Sequence, residues 1–355
     1  MTLSIIVPVY NMAADGKLEF CLDSLVNQTL SPESYEIIAV DDCSTDNSYE
    51  ILKRYEEKYP DRFIAIHSEV NLHQGGAKNI GLAIAKGEWL GFIDADDWVV
   101  PDYYERLLNR AKETGADMVG CDYCFTGEHS FKPGRQVPNN NFEQTGVMDK
   151  ERYKKLLLET GSLVVKVYKR ELILGDYKAG TLKKLDIFPE NIFYEDNAIS
   201  NNWMLRSKHF EYIDEALYFY YQHNASTVHS ISRKNLEDRM DAGRMIVSEA
   251  KKEGYFDDYR DEIEFQYITL FYVNTLFSAM PKASGLKGCY GFTKALGREM
   301  KETFPDFQNN RYYLEKVHPE ERKLIGFQMK SQLFFYLYYR LLWFYRDTIR
   351  GGKKR

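Results

Sequence analysis

Trp89-Leu90-Gly91-Phe92-Ile93-Asp94-Ala95-Asp96-Asp97 is an uncharged run that stops abruptly on three carboxylates. Such a run suits a strand covered on both faces, as in parallel sheets. The same form recurs on the N-terminal side. Residues 3–9 are a continuous apolar run that leads into Pro8-Val9-Tyr10-Asn11, and residues 35–40 end in Asp41-Asp42. Residues 63–67 and 117–121 read as two further strands. Helical spacing fills the gaps: residues 18–28, then about 46–59 with Ser44 and Thr45 placed to cap, then 76–86 closed by Gly87, then 103–114 closed by Gly115. Strands alternating with helices predict an α/β fold, a Rossmann-like and mostly parallel central sheet flanked by helices, with right-handed crossovers.

Past residue 124 the pattern lapses. Gly127, Pro133, Gly134, Pro138 and three consecutive Asn at 139–141 mark a long loop. A mixed region follows, with helices near 150–160 and 197–206 and strands near 163–168 and 216–222. After Ser232 the chain reads as mainly helical. A length of 355 residues allows two or three structural units. The five cysteines are few and odd in number, which fits reduced thiols. Cys121 and Cys124 have C-x-x-C spacing but no second pair to complete a zinc site, so they read as small apolar residues beside a strand. The first residues carry no basic segment of the kind that opens a signal peptide, and no run reaches the roughly 18–20 apolar residues of a spanning helix. A cytoplasmic chain is expected. A net charge of −6 argues against a general nucleic-acid binder.

In open parallel sheets, ligands sit beyond the carboxyl ends of the strands. Three polar clusters fall there: Pro8 to Asn11, Asp41-Asp42, and Asp94 to Asp97. Crowded carboxylates repel unless something compensates, and a divalent cation does so directly. Mg²⁺ and Mn²⁺ take carboxylate and phosphate oxygens and need few protein ligands. One Asp-rich turn is also what a solvated strand end looks like; two on one rim favour a site. Residues 71–81, Asn71-Leu72-His73-Gln74-Gly75-Gly76-Ala77-Lys78-Asn79-Ile80-Gly81, form a Gly-rich approach to a helix. Their amides and Lys78 are placed either to meet phosphate or to hold the acidic turns, and close helix packing explains the glycines equally well.

Taken in order, Pro8 to Asn11, Val40-Asp41-Asp42-Cys43-Ser44-Thr45-Asp46, the Gly-rich stretch and Asp94 to Asp97 resemble the signatures of family 2 glycosyltransferases with the glycosyltransferase-A fold. The match spans about residues 3–122. Phe193-Tyr194-Glu195-Asp196-Asn197 resembles the Glu-Asp motif of that family's acceptor half. The resemblance implies an inverting, metal-dependent transfer from a nucleotide-diphosphate sugar, most often a UDP-sugar, to a glycan, lipid-linked or cell-surface polymer hydroxyl. It implies a donor site of Pro8, Tyr10, Asn11, Asp42, Lys78, Asp94, Ala95 and Asp96. Pro8 and Tyr10 would line the nucleobase pocket, Asp42 would bond the base, and Asp94 and Asp96 would meet the ribose and Mn²⁺ or Mg²⁺. Asp196 would be the base, with Glu195 as the alternative base or a support. The acidic pair also suits a plain helix N-terminus. Lys166 resembles a basic position near the acceptor or diphosphate. Relatives often carry an Arg near Gln222; here His229 is the candidate replacement, as a phosphate or metal partner. Three segments follow: a nucleotide-sugar-binding half at 1–124, an acceptor-binding half of the same catalytic domain at 125–232, and a helical C-terminal region at 233–355.

Transfer of this kind needs a base and charge stabilisation but no protein nucleophile, and no convincing nucleophilic triad is present. The rival of another class is a catalytically inactive nucleotide-sugar-binding module on the same scaffold. A sugar-1-phosphate nucleotidyltransferase fits less well, because its Gly-rich, Arg-containing loop after the first strand is replaced by Asn11-Met12-Ala13-Ala14-Asp15. From Lys330 onward the chain carries seven basic residues and one acid beside Leu333-Phe334-Phe335-Tyr336-Leu337-Tyr338-Tyr339-Arg340-Leu341-Leu342-Trp343-Phe344-Tyr345. That pattern suits a helix lying on an anionic membrane surface over 330–355, with a core helix or a homo-oligomer interface as the alternative.

Overall fold

The computed structural model describes residues 1–222, 232–281 and 285–349. The chain divides into two compact units, Met1–Ser226 and Thr227–Arg355.

The first unit is built on one ten-stranded sheet. Strands β1 (Leu3–Val9) and β2 (Tyr35–Asp41) are buried at every position, mostly by apolar side chains; the polar residues inside them meet, Ser4 Oγ donating to Glu36 Oε1 at 2.6 Å. Helix α1 (Lys17–Val26) joins them. Helix α2 (Ser48–Lys58) leads to β3 (Phe63–His67) at the sheet edge, and α3 (His73–Ile84) leads back to β4 (Trp89–Phe92). Then come β5 (Trp98–Val99), α4 (Tyr103–Thr114), β6 (Met118–Thr126), β7 (Arg135–Val137), β8 (Gly146–Val147), α5 (Lys150–Leu158), β9 (Lys166–Lys169), α6 (Arg170–Leu174), α7 (Glu195–Met204) and β10 (His209–Tyr221). The strand order is β3-β2-β1-β4-β9-β6-β10-β5, with β7 on β6 and β8 on β10.

The sheet is mostly parallel: β1 pairs in parallel with β2 and β4, β2 with β3, and β6 with β10. It is not wholly so. The four-residue β9 enters antiparallel between β4 and β6, and β5, β7 and β8 are antiparallel additions. Because β6 runs through residues 124 and 125, the stretches on either side share one sheet. Cys121 and Cys124 lie buried on β6, and all five cysteines are free thiols. Within the segment read as a long loop, Asp122 accepts from Gln136 Nε2 at 2.7 Å and from the Asn139 amide at 2.9 Å, which folds β7 back onto β6.

The second unit is helical throughout its described residues. Its elements are α8 (Arg233–Lys252), α9 (Arg260–Tyr267), a π-helical turn Ile268–Val273, α10 (Asn274–Ala279), α11 (Cys289–Thr303), α12 (Arg311–Lys316), α13 (Pro319–Lys330) and α14 (Gln332–Ile349). Phe271, Tyr272, Leu276, Leu296 and Ile325 are fully buried at its centre. The buried Gln328 is satisfied on both ends, accepting from Tyr272 Oη at 2.6 Å and donating to the Thr293 carbonyl at 2.8 Å. Among the described residues no helix is long and apolar enough to cross a membrane.

Candidate active site

The carboxyl ends of β1, β2 and β4 lie side by side, so their loops meet on one rim. The loops after β1 and β2 are clasped by hydrogen bonds. Ser44 Oγ accepts from the Asn11 amide at 2.9 Å, Ser48 Oγ from the Met12 amide at 2.7 Å, and Asp46 Oδ2 from the Ala13 amide at 3.0 Å. Asn11 Oδ1 returns the favour, accepting from the Thr45 amide at 2.8 Å. Ser44 and Thr45 therefore do not cap α2, which starts later, at Ser48; the Ser44 hydroxyl accepts from the Asn11 amide and Thr45 Oγ1 donates to Asn11 Oδ1. Asn11 adopts a left-handed backbone (φ 52°), which Asn tolerates better than most residues. Pro8 is buried, while Tyr10, two residues on, is 46% exposed.

Asp41 and Asp42 close β2 and are both buried. Asp41 is paired with His67 Nδ1 at 2.7 Å, across to β3. Asp42 Oδ1 accepts from the Leu72 amide at 2.7 Å, and its carbonyl takes Asn71 Nδ2 at 3.1 Å. Burial pushes the Asp42 carboxyl above its ordinary range, against these hydrogen bonds.

After β4 the three acidic side chains separate by role. Asp97 turns inward and is buried, accepting from Tyr218 Oη at 2.5 Å and from the Tyr221 amide at 2.9 Å, which ties the turn to β10. Ala95 is buried between its neighbours. Asp94 and Asp96 remain half-buried on the rim. Gln74 Nε2 lies 3.5 Å from Asp94 Oδ1. Burial raises the Asp94 carboxyl to about 7; Lys78 opposes the rise, and the charges of Asp96, Glu195 and Asp196 add to it. Lys78 of α3, Glu195 and Asp196 of α7, and Asp96 of its own turn thus act on one carboxylate.

Helix α3 joins the rim to α7. Lys78 and Glu195 are both buried, with Nζ and Oε1 2.6 Å apart. Lys78 Nζ also lies over the Phe188 ring, 5.3 Å from its centre. Burial alone would lower the lysine, but Glu195, Asp94 and Asp196 outweigh it and hold it above its ordinary value. Asn79 clamps the segment before α7: its Nδ2 donates to the Phe188 carbonyl at 2.8 Å and its Oδ1 accepts from the Phe188 amide at 2.8 Å. Gly75 is where that segment crosses the helix; a Cβ there would sit 2.0 Å from the Pro189 carbonyl oxygen. Tyr194 (φ 68°) makes the turn into α7, and Glu195 and Asp196 occupy its first turn. Asp196 is half-buried, and its Oδ1 accepts from the Asn197 amide at 2.8 Å. Lys166 on β9 is fully buried, donating to the carbonyls of Ser162 at 2.7 Å and Thr160 at 3.1 Å. Burial lowers its ammonium to about 7, with Cys121 and Asp196 pulling the other way.

Pro8, Tyr10, Asn11, Asp42, Lys78, Asp94, Ala95, Asp96, Lys166, Glu195 and Asp196 are thereby placed; His229 lies outside the described residues. Among the described residues no group of three or more His, Cys, Asp or Glu side chains is arranged to hold a metal ion. Asp94 and Asp96 offer two carboxylates, the number that suits a cation also held by substrate phosphates. Sequence reasoning passed over Asn79 and Gln74. A buried Asn in a helix of small residues is the signal that marks Asn79; Gln74 stands one turn before Lys78 on the same helix face.

The model for glycosyl transferase family 2 matches residues 4–172. The putative glycosyltransferase EpsH of Bacillus subtilis is 31% identical over 265 residues, covering 74% of this chain and 73% of that protein. The chain belongs to glycosyl transferase family 2. Two other relatives are the uncharacterized glycosyltransferase YibD of Escherichia coli, 33% identical over 66% of each chain, and the poly(ribitol-phosphate) beta-glucosyltransferase of Bacillus spizizenii, 35% identical over 62% of this chain. The chain spans 66% of the first and 32% of the second. Residues 1–349 of Staphylococcus aureus TarS, solved in complex with UDP-GlcNAc, share the fold with a TM-score of 0.65 at 20% identity, over 100% of this chain and 93% of that one. In this family 2 chain, then, the acidic rim and the Glu195-Asp196 turn stand on a glycosyltransferase scaffold.

Proposed function

We propose that this chain is an inverting glycosyltransferase that moves a sugar from a nucleotide-diphosphate donor, a UDP-sugar, to a hydroxyl of a glycan, lipid-linked or cell-surface polymer acceptor. One observation carries the reading: Gln74 and Lys78 on α3 link the two acidic turns, with Gln74 Nε2 3.5 Å from Asp94 Oδ1, Lys78 Nζ 3.4 Å from Gln74 Oε1, and Lys78 Nζ 2.6 Å from Glu195 Oε1. Donor-side acids and the acidic start of α7 thus share one place. The relative that acts on poly(ribitol phosphate) and the UDP-GlcNAc complex of TarS agree with this substrate class. Residues 1–124 would bind the nucleotide sugar, 125–232 the acceptor, and 233–355 would form the helical extension.

Pro8 and Tyr10 would flank the nucleobase, with Asp42 accepting from its N–H. Asn11 serves through the clasp. Asp94 and Asp96 would hold Mn²⁺ or Mg²⁺, which fits two rim carboxylates whose mutual repulsion asks for a positive charge. Such a cation, when bound, neutralises charge on the departing nucleoside diphosphate. Glu195 is spent on Lys78, so Asp196 is left as the base. It takes the acceptor hydroxyl proton while that oxygen attacks the anomeric carbon opposite the diphosphate. The carbon–oxygen bond to the diphosphate breaks, and the configuration inverts.

Asp196→Asn tests the assignment. UDP affinity should stay within about twofold while transfer falls at least about 100-fold, the scale of a lost general base. A panel of nucleotide sugars assayed for UDP release finds the donor; release from none would favour an inactive binding module. Unchanged turnover in Asp196→Asn would remove that residue as the base.

A further inference from the structure

Helix α14 has two unlike faces. Phe335 and Tyr339 are buried, Tyr339 against Phe277 with ring centres 6.4 Å apart, and Gln332 reaches Thr293 Oγ1 at 2.9 Å. These contacts fix which way the helix faces within its own unit. On the far side, Leu333, Leu337, Leu341 and Phe344 recur every three or four residues and are each more than half exposed, at 56%, 58%, 66% and 59%. At a rise of 1.5 Å per residue they form an apolar stripe about 17 Å long. Arg340 borders the stripe, its guanidinium stacked over Tyr336 at 5.2 Å. A contiguous exposed stripe of large apolar side chains marks a contact surface.

The charge around the stripe selects its partner. From Lys330 to Arg355 the chain carries seven basic residues against Asp347, a net of +6, so the preceding 329 residues carry −12. In sequence, this positive charge overlaps and directly follows the exposed apolar stripe. We propose that α14 docks this face on an anionic lipid bilayer, lying parallel to the surface with its leucines in the acyl boundary and the basic residues among the headgroups. A stripe of this length is far short of the roughly 30 Å needed to span, and no described helix has the apolar length to cross. A second copy of the chain is disfavoured as the occupant, because an isologous contact of α14 with itself offers this segment no opposite charge, whereas an anionic surface does. Each basic residue near an anionic leaflet strengthens attachment about fivefold, and the effect is screened by salt.

The test measures co-sedimentation of the full chain with phosphatidylcholine vesicles and with vesicles holding about 30% phosphatidylglycerol. Binding should be at least tenfold tighter on the anionic vesicles and should weaken at least tenfold in about 0.5 M salt. Leu337→Glu/Leu341→Glu should reduce binding at least tenfold at unchanged melting temperature, since both side chains are exposed. Replacing Arg350, Lys353, Lys354 and Arg355 by Gln should do the same. Equal binding to both vesicles, binding to neither, or unaltered binding by the leucine variant would overturn the proposal. So would a vesicle-free oligomer that the leucine variant converts to monomer, which would assign the face to a second copy. The readout is attachment alone and does not depend on sugar transfer.

Discussion

Two neighbouring acids at the start of α7 have different surroundings. Glu195 is buried against Lys78, while Asp196 stays half-buried and takes its local hydrogen bonds from Asn197. Removing one member of a buried pair strands the other charge, which typically costs about 3–5 kcal/mol, whereas removing both is often tolerated. Lys78→Met and Glu195→Gln should each lower stability by that order in urea unfolding, and Lys78→Met/Glu195→Leu should regain at least half of it; additive losses would mean the two side chains are not coupled. Lys166 makes a separate prediction. Its ammonium is lowered to about 7 by burial in the folded chain only. Between pH 7 and the ordinary lysine value the unfolded chain therefore holds the extra proton, and stability rises with pH through this window, by at most about 1.4 kcal/mol per unit. Lys166→Met should remove that slope between pH 7 and 9 relative to the parent chain. A slope common to both would place its origin elsewhere.

At the scale of elements, α3 works as a strut. Its first turns carry the close approach at Gly75, the ion pair of Lys78 and the clamp of Asn79, and all three act on the segment that delivers Glu195 and Asp196. Gly75→Ala would drive a methyl into the Pro189 carbonyl and shift that segment. Transfer should fall at least about tenfold, because displacement of a reacting group by an ångström is that damaging; full activity would show that the segment gives way without consequence. Much of this framework was legible in the residues. The buried runs of β1, β2 and β4 and the acidic turns after them follow from apolar patterning and from where charges interrupt it. Other parts were not. β5 and β8 are two residues long and β7 is three, too short to show a period of two. The direction of β9 comes from its neighbours, β4 and β6, rather than from its own four residues. Ser44 and Thr45 have the chemistry of helix caps but are taken by the loop after β1, a contact 33 or more residues away in sequence. The pairing of Lys78 with Glu195 spans 117 positions, and no local pattern announces it.

At the scale of the whole molecule, the parallel set β3-β2-β1-β4 aims its carboxyl ends at one rim, and the mixed half of the sheet brings α7 and β9 to the same region. The chain then has a second, helical unit, and its last helix, α14, is followed in sequence by Arg350, Lys353, Lys354 and Arg355. In the proposed function, the rim of the first unit would grip the phosphates of a sugar nucleotide through a divalent cation held by Asp94 and Asp96. The direct measurement is a crystal of this chain grown with UDP and Mn²⁺, with data collected at the manganese absorption edge. An anomalous peak in contact with both carboxylates and the diphosphate is the expected result, and Asp96→Ala should abolish it. UDP bound at the rim with no peak beside Asp94 or Asp96 would contradict the account.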